Sequence, residues 1–303
     1  MQRKLIGQGL GGITVHLPKR WIDAHHLKKG NEIDIEDSEG KLIISPKKIN
    51  KDKKETSIRL SGLEESLIRT LIANTYRLGY DSIKVDFENE KQFQILNEII
   101  QKRLIGFEII KKDSGSCIVE NVTEPEEDQF GNIMQKLFLN IDTLLENINQ
   151  LCSSDKAQIS ESIDELDDRI LKYDNFCRRI LLRRRFDEKS ALHLAFLTMI
   201  IHGERELYYL SKSIGKGMKC SSETLKIIGG IAQINKLIQE AYNKKKFDNL
   251  ADINAIGRRI IYKEGYKLME NKKGKELIVI HHLLACTRDF YQAVSPLSGL
   301  LFT

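Results

Sequence analysis

Prolines are absent from residues 126–295, and this gap is the strongest constraint that the sequence places on the fold. The chain has only four prolines in 303 residues, at positions 18, 46, 125 and 296. Because proline breaks helix interiors, a proline-free stretch of this length permits long continuous helices. Apolar residues recur there at helical spacing, so the sequence predicts an all-α region over residues 125–303.

The apolar periodicity of this region predicts six long helices. They run over about 130–151, 159–180, 190–213, 222–243, 247–271 and 275–294. Gly215-Lys216-Gly217 interrupts the pattern in the middle. Short connections make neighbouring helices antiparallel, so we expect a bundle of two three-helix units, one over residues 125–215 and one over 216–303.

The first 50 residues have a different pattern, made of short strands. Ile13–Leu17 is largely apolar up to Pro18, where a helical turn follows. Glu32–Glu36 and Lys41–Ile44 flank the turn Asp37-Ser38-Glu39-Gly40, which predicts a β-hairpin. A sheet of this size has too little core to fold alone. We therefore expect it to pair with a second copy, giving a homodimer or a higher even oligomer.

Residues 51–124 alternate strands with helices. Strand-like segments lie near 58–60, 83–87, 107–110 and 117–122, and amphipathic helices near 63–77 and 93–104. This order predicts a small two-layer α+β domain between the front segment and the bundle.

The net charge of the chain is confined to the front segment. Residues 1–54 contain 12 Lys and Arg against 7 Asp and Glu, a surplus of five positive charges. This equals the formal net charge of the whole chain, +5, so the charges of the remaining residues cancel each other. A small basic domain on a neutral body indicates an anionic partner, with nucleic acid the first candidate. The alternative is a solubilising lysine-rich linker over Lys47–Lys54.

Several classes of protein are disfavoured by what the sequence lacks. No stretch approaches the roughly 18 uncharged apolar residues of a membrane span, so we expect a cytoplasmic protein without membrane insertion. The five cysteines are odd in number and form no CxxC pair, so they are interpreted as small buried residues. No phosphate loop, GxSxG or HExxH motif is present, and we expect no enzymatic activity.

An acidic run on the second predicted helix is the best candidate for a metal site. The run consists of Glu161, Asp164, Glu165, Asp167 and Asp168, and the spacings 161/165 and 164/168 each place two carboxylates one helical turn apart. Glu204 and Glu206 on the third helix are the nearest candidates for further ligands, and Asp289 is a distant one. The alternative is a solvated helix face whose charge is balanced by Arg169, Lys172, Arg178 and Arg179. We favour the solvated face and expect no cofactor, with a divalent or iron-type metal as the lesser hypothesis.

A second basic cluster, "RRILLRRRF", spans residues 178–186. Arginines at a helix end can complement the helix dipole, or they can bind an anion or an acidic partner. Both interpretations remain open from the sequence.

The stretch "GGITVHLPKRWIDAHHLKKGNEIDIEDSEGKLIISP" resembles the swapped-hairpin domain of the AbrB, MazE and SpoVT type. The resemblance covers about the first 48 residues. It implies that two chains interlock their hairpins into one small β-barrel with a basic surface that binds duplex DNA. In this chain that surface would consist of Arg3, Lys4, Lys19, Arg20, Lys28 and Lys29. The family's usual arginines beside the proline-terminated strand are missing, since Gly12 and Ile22-Asp23 lie near those places.

The rest of the chain is similar to archaeal proteins in which an AbrB-like domain precedes a helical bundle of the PhoU family. "LIRTLIANTYRLGYDSIKV" and "RLIGFEII" resemble their linker domain, and the six predicted helices match the two PhoU repeats. PhoU proteins regulate phosphate uptake and bind metal clusters through acidic motifs. The matching stretch here, "GERELYYL", has Tyr208 and Tyr209 where Asp and His are expected, and the last helix retains at most Asp289.

The resemblance implies a transcriptional regulator that binds DNA through its front domain and is linked to phosphate homeostasis. The alternative is a signal adaptor that does not bind DNA. In that case the bundle would bind a transporter subunit or a kinase, and the front domain would only dimerise the chain.

Overall fold

The computed structural model describes residues 3–8, 12–38, 41–46, 53–123, 129–153, 161–183, 188–214 and 218–302. The chain divides into two compact units, Met1–Lys53 and Lys54–Thr303. A small strand-rich N-terminal region is followed by a largely helical part, which confirms the coarse fold prediction.

The front unit consists of two separate antiparallel hairpins and one short helix. The strands β1 (Ile6–Gln8) and β2 (Gly12–Thr14) form the first hairpin, and β3 (Ile33–Ser38) and β4 (Lys41–Pro46) form the second. The helix α1 (Lys19–Ala24) lies between them in sequence. The hairpin predicted over residues 32–44 is confirmed by β3 and β4, whereas its turn at Glu39-Gly40 lies outside the described residues.

The second unit begins with an α+β domain. Its elements are β5 (Glu55–Arg59), α2 (Glu65–Arg77), β6 (Ser82–Asp86), α3 (Glu90–Arg103), β7 (Phe107–Lys112) and β8 (Ser116–Asn121). The strand order is β5-β6-β8-β7, with β5 and β6 parallel and the other pairs antiparallel.

One face of this sheet is buried against the two helices. Ile83 and Val85 on β6 are buried while Lys84 between them is exposed, as expected for alternating strand side chains. They share a core with Ile72 of α2 and Leu96 of α3. This packing leaves the opposite sides of α2 and α3 available to a further layer.

That layer is a helical bundle. Its helices are α4 (Phe130–Ser153), α5 (Ile163–Arg183), α6 (Glu188–Ser213), α7 (Ser222–Lys244), α8 (Asn249–Arg259), α9 (Tyr266–Asn271), α10 (Lys275–Gln292) and α11 (Val294–Phe302). A π-helical turn over Ile260–Gly265 joins α8 to α9, so these residues form the fifth predicted helix. Helix α11 was not predicted from the sequence. It contains Pro296 in its first turn, where proline is tolerated because the first amides of a helix have no intrahelical partner.

Both halves of the bundle share one hydrophobic core. The helices α6 and α10 approach closely at Gly203, where an added Cβ would lie 2.5 Å from the ring of Phe290. The two halves are therefore packed as a single body. Whether they are repeats of one unit stays a prediction. None of the helices in the described parts of the chain is long and apolar enough to cross a bilayer.

Candidate nucleic-acid interface and the arginine network

The six basic residues predicted to bind DNA all lie on the surface of the front unit. Arg3, Lys4, Lys19, Arg20, Lys28 and Lys29 are exposed. None of them has an acidic side chain as a partner among the residues that the structure describes. Their charges are therefore available to an external anion.

Local geometry explains how these side chains are presented. Pro18 is extended and its carbonyl accepts from the amides of Trp21 and Ile22, which starts α1 directly at Lys19 and Arg20. Cations are disfavoured at the positive end of a helix, so helix stability does not account for this basic pair. An anionic partner would account for it.

The second basic pair is held in a closed turn. The amide of Lys28 donates to Asn31 Oδ1 at 2.7 Å, and the amide of Asn31 donates back to the carbonyl of Lys28 at 3.0 Å. Gly30 has a φ of +94°, a conformation that side chains other than glycine rarely adopt. The turn therefore fixes the backbone that carries Lys28 and Lys29.

The front unit contains no buried core among the residues that the structure describes. Of the side chains described between residues 3 and 46, none is buried. Several apolar ones are largely exposed: Leu5 (72%), Ile13 (67%), Ile35 (60%) and Leu42 (67%). Exposed apolar residues at this density indicate a surface that another chain covers.

The α+β domain and the bundle are joined by a buried arginine that makes hydrogen bonds and an ion pair. The side chain of Arg179 on α5 is 2% exposed and donates to the carbonyls of Tyr76 at 2.8 Å and Tyr80 at 2.9 Å. It also pairs with Asp81 Oδ1 at 3.1 Å and lies over the ring of Phe107 at 5.1 Å. Arg179 thus binds the C-terminal end of α2 through Tyr76, whose carbonyl also accepts from the amide of Gly79, and the turn that follows through Tyr80.

Asp81 is the acceptor that two arginines share. Arg183 Nη1 lies 2.7 Å from the same oxygen that binds Arg179. Burial raises the pKa of Asp81, but the hydrogen bond from the amide of Lys54 and the charges of Arg183 and Arg179 outweigh burial. The pKa of this carboxyl therefore lies below its ordinary value.

About one and three turns earlier on α5, the charges are reversed, because the helix supplies carboxylates and the α+β domain supplies arginines. Arg77 of α2 donates to Asp174 at 2.9 Å and to Asn175 at 2.7 Å, and Asp174 is fully buried. Arg103, the last residue of α3, donates to Asp168 at 2.7 Å and to Asp167 at 3.2 Å. Arginines and carboxylates of both layers therefore interlock along α5.

This network corrects two interpretations of the sequence. The acidic run is only partly a solvated helix face. Asp164 and Glu165 are exposed, whereas Asp167 is only 2% exposed and pairs with Arg103 and Arg205. Within the described part of the basic cluster, Arg178, Arg179 and Arg183 bind groups of the protein itself. Arg184 and Arg185 lie outside the described residues. Arg77 and Arg103 were not singled out, because no spacing in the sequence links them to α5.

The weak metal candidates are not assembled into a site. Asp164 binds Lys212 at 2.6 Å and Tyr208 at 2.9 Å, while Asp168 binds Arg103. In the described ranges, no group of three or more His, Cys, Asp or Glu side chains is arranged to hold a metal ion. These residues therefore do not fit the metal cluster that the PhoU resemblance implies.

Glu204 has a separate and unusual environment. It is fully buried, and neither carboxylate oxygen has a hydrogen-bond partner among the described residues. Burial, and then the charge of Asp167, raise the pKa of Glu204 well above its ordinary value. Ionisation of Glu204 is therefore disfavoured in the folded protein.

Comparison with known proteins identifies a family only for the front unit. A family model described as "Antidote-toxin recognition MazE, bacterial antitoxin" matches residues 13–52. No curated protein and no solved structure matches the chain. The match supports an N-terminal domain of the AbrB and MazE type, and such a domain fits a DNA-binding regulator or an antitoxin.

Replacing Arg179 tests how much the contact between α5 and the α+β domain contributes to the free energy of unfolding, compared with a surface charge on the same helix. Arg179→Met keeps the aliphatic length but leaves two carbonyls and Asp81 short of a buried donor, so we expect a loss of about 3 kcal/mol in the free energy of unfolding. Urea denaturation measures it. Lys172→Met on the same helix is the control, with an expected change below about 0.5 kcal/mol. Equal midpoints for the two variants would contradict a structural role of the network.

Glu204 should make stability depend on pH. Its pKa is raised in the fold, so its contribution is fully present below about pH 4.3 and is lost as pH rises towards the folded value. Over that range the free energy of unfolding should fall by up to about 1.4 kcal/mol per pH unit. Glu204→Gln should remove this slope when urea denaturation is measured at several pH values. Glu206→Gln serves as the neighbouring control, because the carboxylate of Glu206 binds His282 in the wild type. Identical pH profiles for Glu204→Gln and the wild type would rule out a neutral buried carboxyl.

Proposed function

We propose that the protein is a transcriptional regulator of the cytoplasm that binds duplex DNA as a dimer through its front unit. It acts by binding and not by catalysis. The observation that carries the proposal is the front unit itself, which matches an AbrB/MazE-type domain over residues 13–52, exposes six unpaired cations and buries none of its described side chains.

Dimerisation follows from the missing core. Apolar side chains such as Ile13 and Leu42 are exposed on two separate hairpins. Each largely buried side chain of this type contributes about 1.5–3 kcal/mol, so a second copy that covers both hairpins would supply the stability that one copy lacks. Exchange of hairpins between two chains is the arrangement that the family resemblance implies.

Electrostatics then account for DNA as the partner. Six cations per chain, doubled by a dimer axis, could neutralise about six to eight phosphates. Binding of this kind falls steeply with salt. Four of the six cations are lysines, which mostly position a protein on the phosphate backbone, so we expect little base readout from this set alone.

The second unit is proposed to receive a signal. Its α+β domain and its bundle are joined by buried ion pairs, so a ligand or partner on the bundle would act on one rigid body. On the resemblance of the helix pattern to PhoU proteins, we assign phosphate status as the signal and a phosphate-transport or signalling protein as the partner. The loss of the acidic motifs argues for a protein contact rather than a metal cluster as the sensing element.

Two other functions have some support. The matched family is described as a bacterial antitoxin, but here the matched region is followed by a folded strand, β5, from Glu55 onwards. An adaptor role, in which the front unit only dimerises the chain, is favoured by exposed aromatic side chains on the bundle, namely Tyr209, Tyr262, Tyr266 and Phe302. Purification from native cells with and without nuclease separates DNA, toxin and adaptor partners.

Removing the basic pair of α1 should weaken DNA binding. In the double variant Lys19→Ala/Arg20→Ala, four cations per dimer are lost, so affinity for duplex DNA at about 0.1 M salt should fall at least tenfold. The slope of log affinity against log salt should also become shallower by about three. Fluorescence anisotropy at several salt concentrations measures both.

The matched control removes the same charge from the second unit. Lys226→Ala/Lys236→Ala replaces two exposed lysines of α7 and should leave affinity within about twofold. Absence of any affinity of the wild type for duplex DNA at low salt would refute the DNA-binding function and favour the adaptor.

A charge on the apolar surface of the front unit should dissociate the dimer. Ile13→Asp would bury an unpaired carboxylate at the expected interface, so we expect a monomer at micromolar concentration by size-exclusion chromatography with light scattering. Ile110→Asp, at a position that is 51% exposed on the α+β domain, should leave the mass unchanged. A wild-type monomer, or an Ile13→Asp dimer, would contradict dimerisation through this surface.

A further inference from the structure

Two cysteines that are distant in sequence meet at one end of the bundle. Cys152 lies in the last turn of α4, and Cys220 lies two residues before the start of α7. The amide of Cys220 donates to the carbonyl of Cys152 at 2.9 Å. The main chains of the two cysteines are thus in direct contact.

A disulfide requires Cα atoms no more than about 7 Å apart. The 2.9 Å bond between the main chains of Cys152 and Cys220 brings the two residues side by side, as such a bond needs. We propose that Cys152 and Cys220 form a reversible intramolecular disulfide when the protein meets a hydroperoxide.

The environment of the pair makes Cys220 the attacking thiol. The hydrogen bond from Cys152 lowers the pKa of Cys220, while the same bond and burial raise the pKa of Cys152. Cys220 retains 5% exposure, whereas Cys152 is fully buried. Cys220 is thus the less buried residue of the pair and the one whose pKa is lowered, which assigns it the attack on the peroxide.

The position of Cys220 is held by a neighbouring carboxylate. Glu276 Oε1 accepts from the amide of Ser221 at 2.9 Å, from Ser221 Oγ at 2.6 Å and from Thr224 Oγ1 at 2.8 Å. These bonds fix the start of α7 next to the end of α4. The negative charge of Glu276 disfavours a thiolate at either cysteine, which slows oxidation without changing the geometry.

The other three cysteines lack this arrangement. Cys117, Cys177 and Cys286 are buried, and none of them has a thiol partner in the described parts of the chain. Burial raises the pKa of Cys117 to about 11 and that of Cys286 well above its ordinary value. They serve as internal controls.

The proposed reaction has two steps. The Cys220 thiolate attacks one peroxide oxygen, so an S–O bond forms, the O–O bond breaks, and the second oxygen leaves as water or an alcohol after protonation. The Cys152 sulfur then attacks Cys220 Sγ, displacing the sulfenic oxygen as water and forming the S–S bond. The two thiols lose two electrons and the peroxide gains them. A dithiol reductant reverses the reaction by thiol–disulfide exchange.

The bond would tie the first half of the bundle to the second. It would join the end of α4 to the start of α7 and close a long loop of the chain, which restricts the unfolded state. We expect the oxidised protein to melt about 5–10 °C higher than the reduced protein. An unchanged Tm in the linked protein would contradict a bond that fits the native packing.

The test uses the full-length protein treated with hydrogen peroxide and then with a thiol-blocking reagent. The intact mass should fall by two hydrogen atoms, two fewer thiols should be blocked, and a non-reducing digest should contain one peptide that links Cys152 to Cys220. Dithiothreitol should restore both thiols. Cys286→Ala, which keeps the pair, should behave as the wild type.

Single variants separate the two roles. In Cys152→Ser the sulfenic acid on Cys220 should persist and be trapped by dimedone, whereas Cys220→Ser should give neither adduct nor disulfide. Links between other cysteines or between chains would overturn the proposal. So would a wild type that keeps both thiols, or that accumulates the sulfenic acid without a disulfide, while its circular dichroism stays native.

Discussion

The second unit depends on one buried guanidinium. Arg179 reaches from the bundle to the carbonyls of Tyr76 in α2 and Tyr80 after it, and to Asp81, which also binds Arg183. A buried charge is costly unless every donor is satisfied, so this contact tolerates only one relative placement of sheet and bundle. The pairs of Arg77 and Arg103 with α5 carboxylates extend the same principle along the helix. Ionic docking of this kind specifies orientation more than it adds stability.

The front unit follows the opposite rule. It exposes apolar side chains and basic ones together, and no described side chain in it is buried. The exposed apolar side chains indicate an interface with a second chain, and the exposed cations indicate a polyanionic partner. The second unit is stabilised by its own core and internal ion pairs, whereas we propose that the front unit is stabilised by partners. A regulator that joins a dimeric DNA-binding domain to a rigid sensing body is consistent with this division.

Much of the fold could be predicted because local patterns carry it. The helices from residue 130 onwards follow the apolar periodicity within a few residues, and the strands of the α+β domain follow turn and alternation signals. The candidate site was less predictable. Lys19 and Arg20 lie exposed at the start of α1 as expected, but Asp167 and Asp174 are buried although charged runs of this kind are usually solvated. Their partners, Arg77 and Arg103, come from another layer.

The sequence by itself determined the types and order of the elements, the basic character of the front segment and its likeness to an AbrB/MazE-type domain. These properties depend on composition and on the spacing of nearby residues. The tertiary structure alone decided that α5 faces the α+β domain, that Glu204 is left without a partner among the described residues, and that Cys152 meets Cys220. Such contacts join residues separated by tens of positions. These long-range contacts are determined by how side chains pack in the folded protein, and no local sequence pattern encodes that packing.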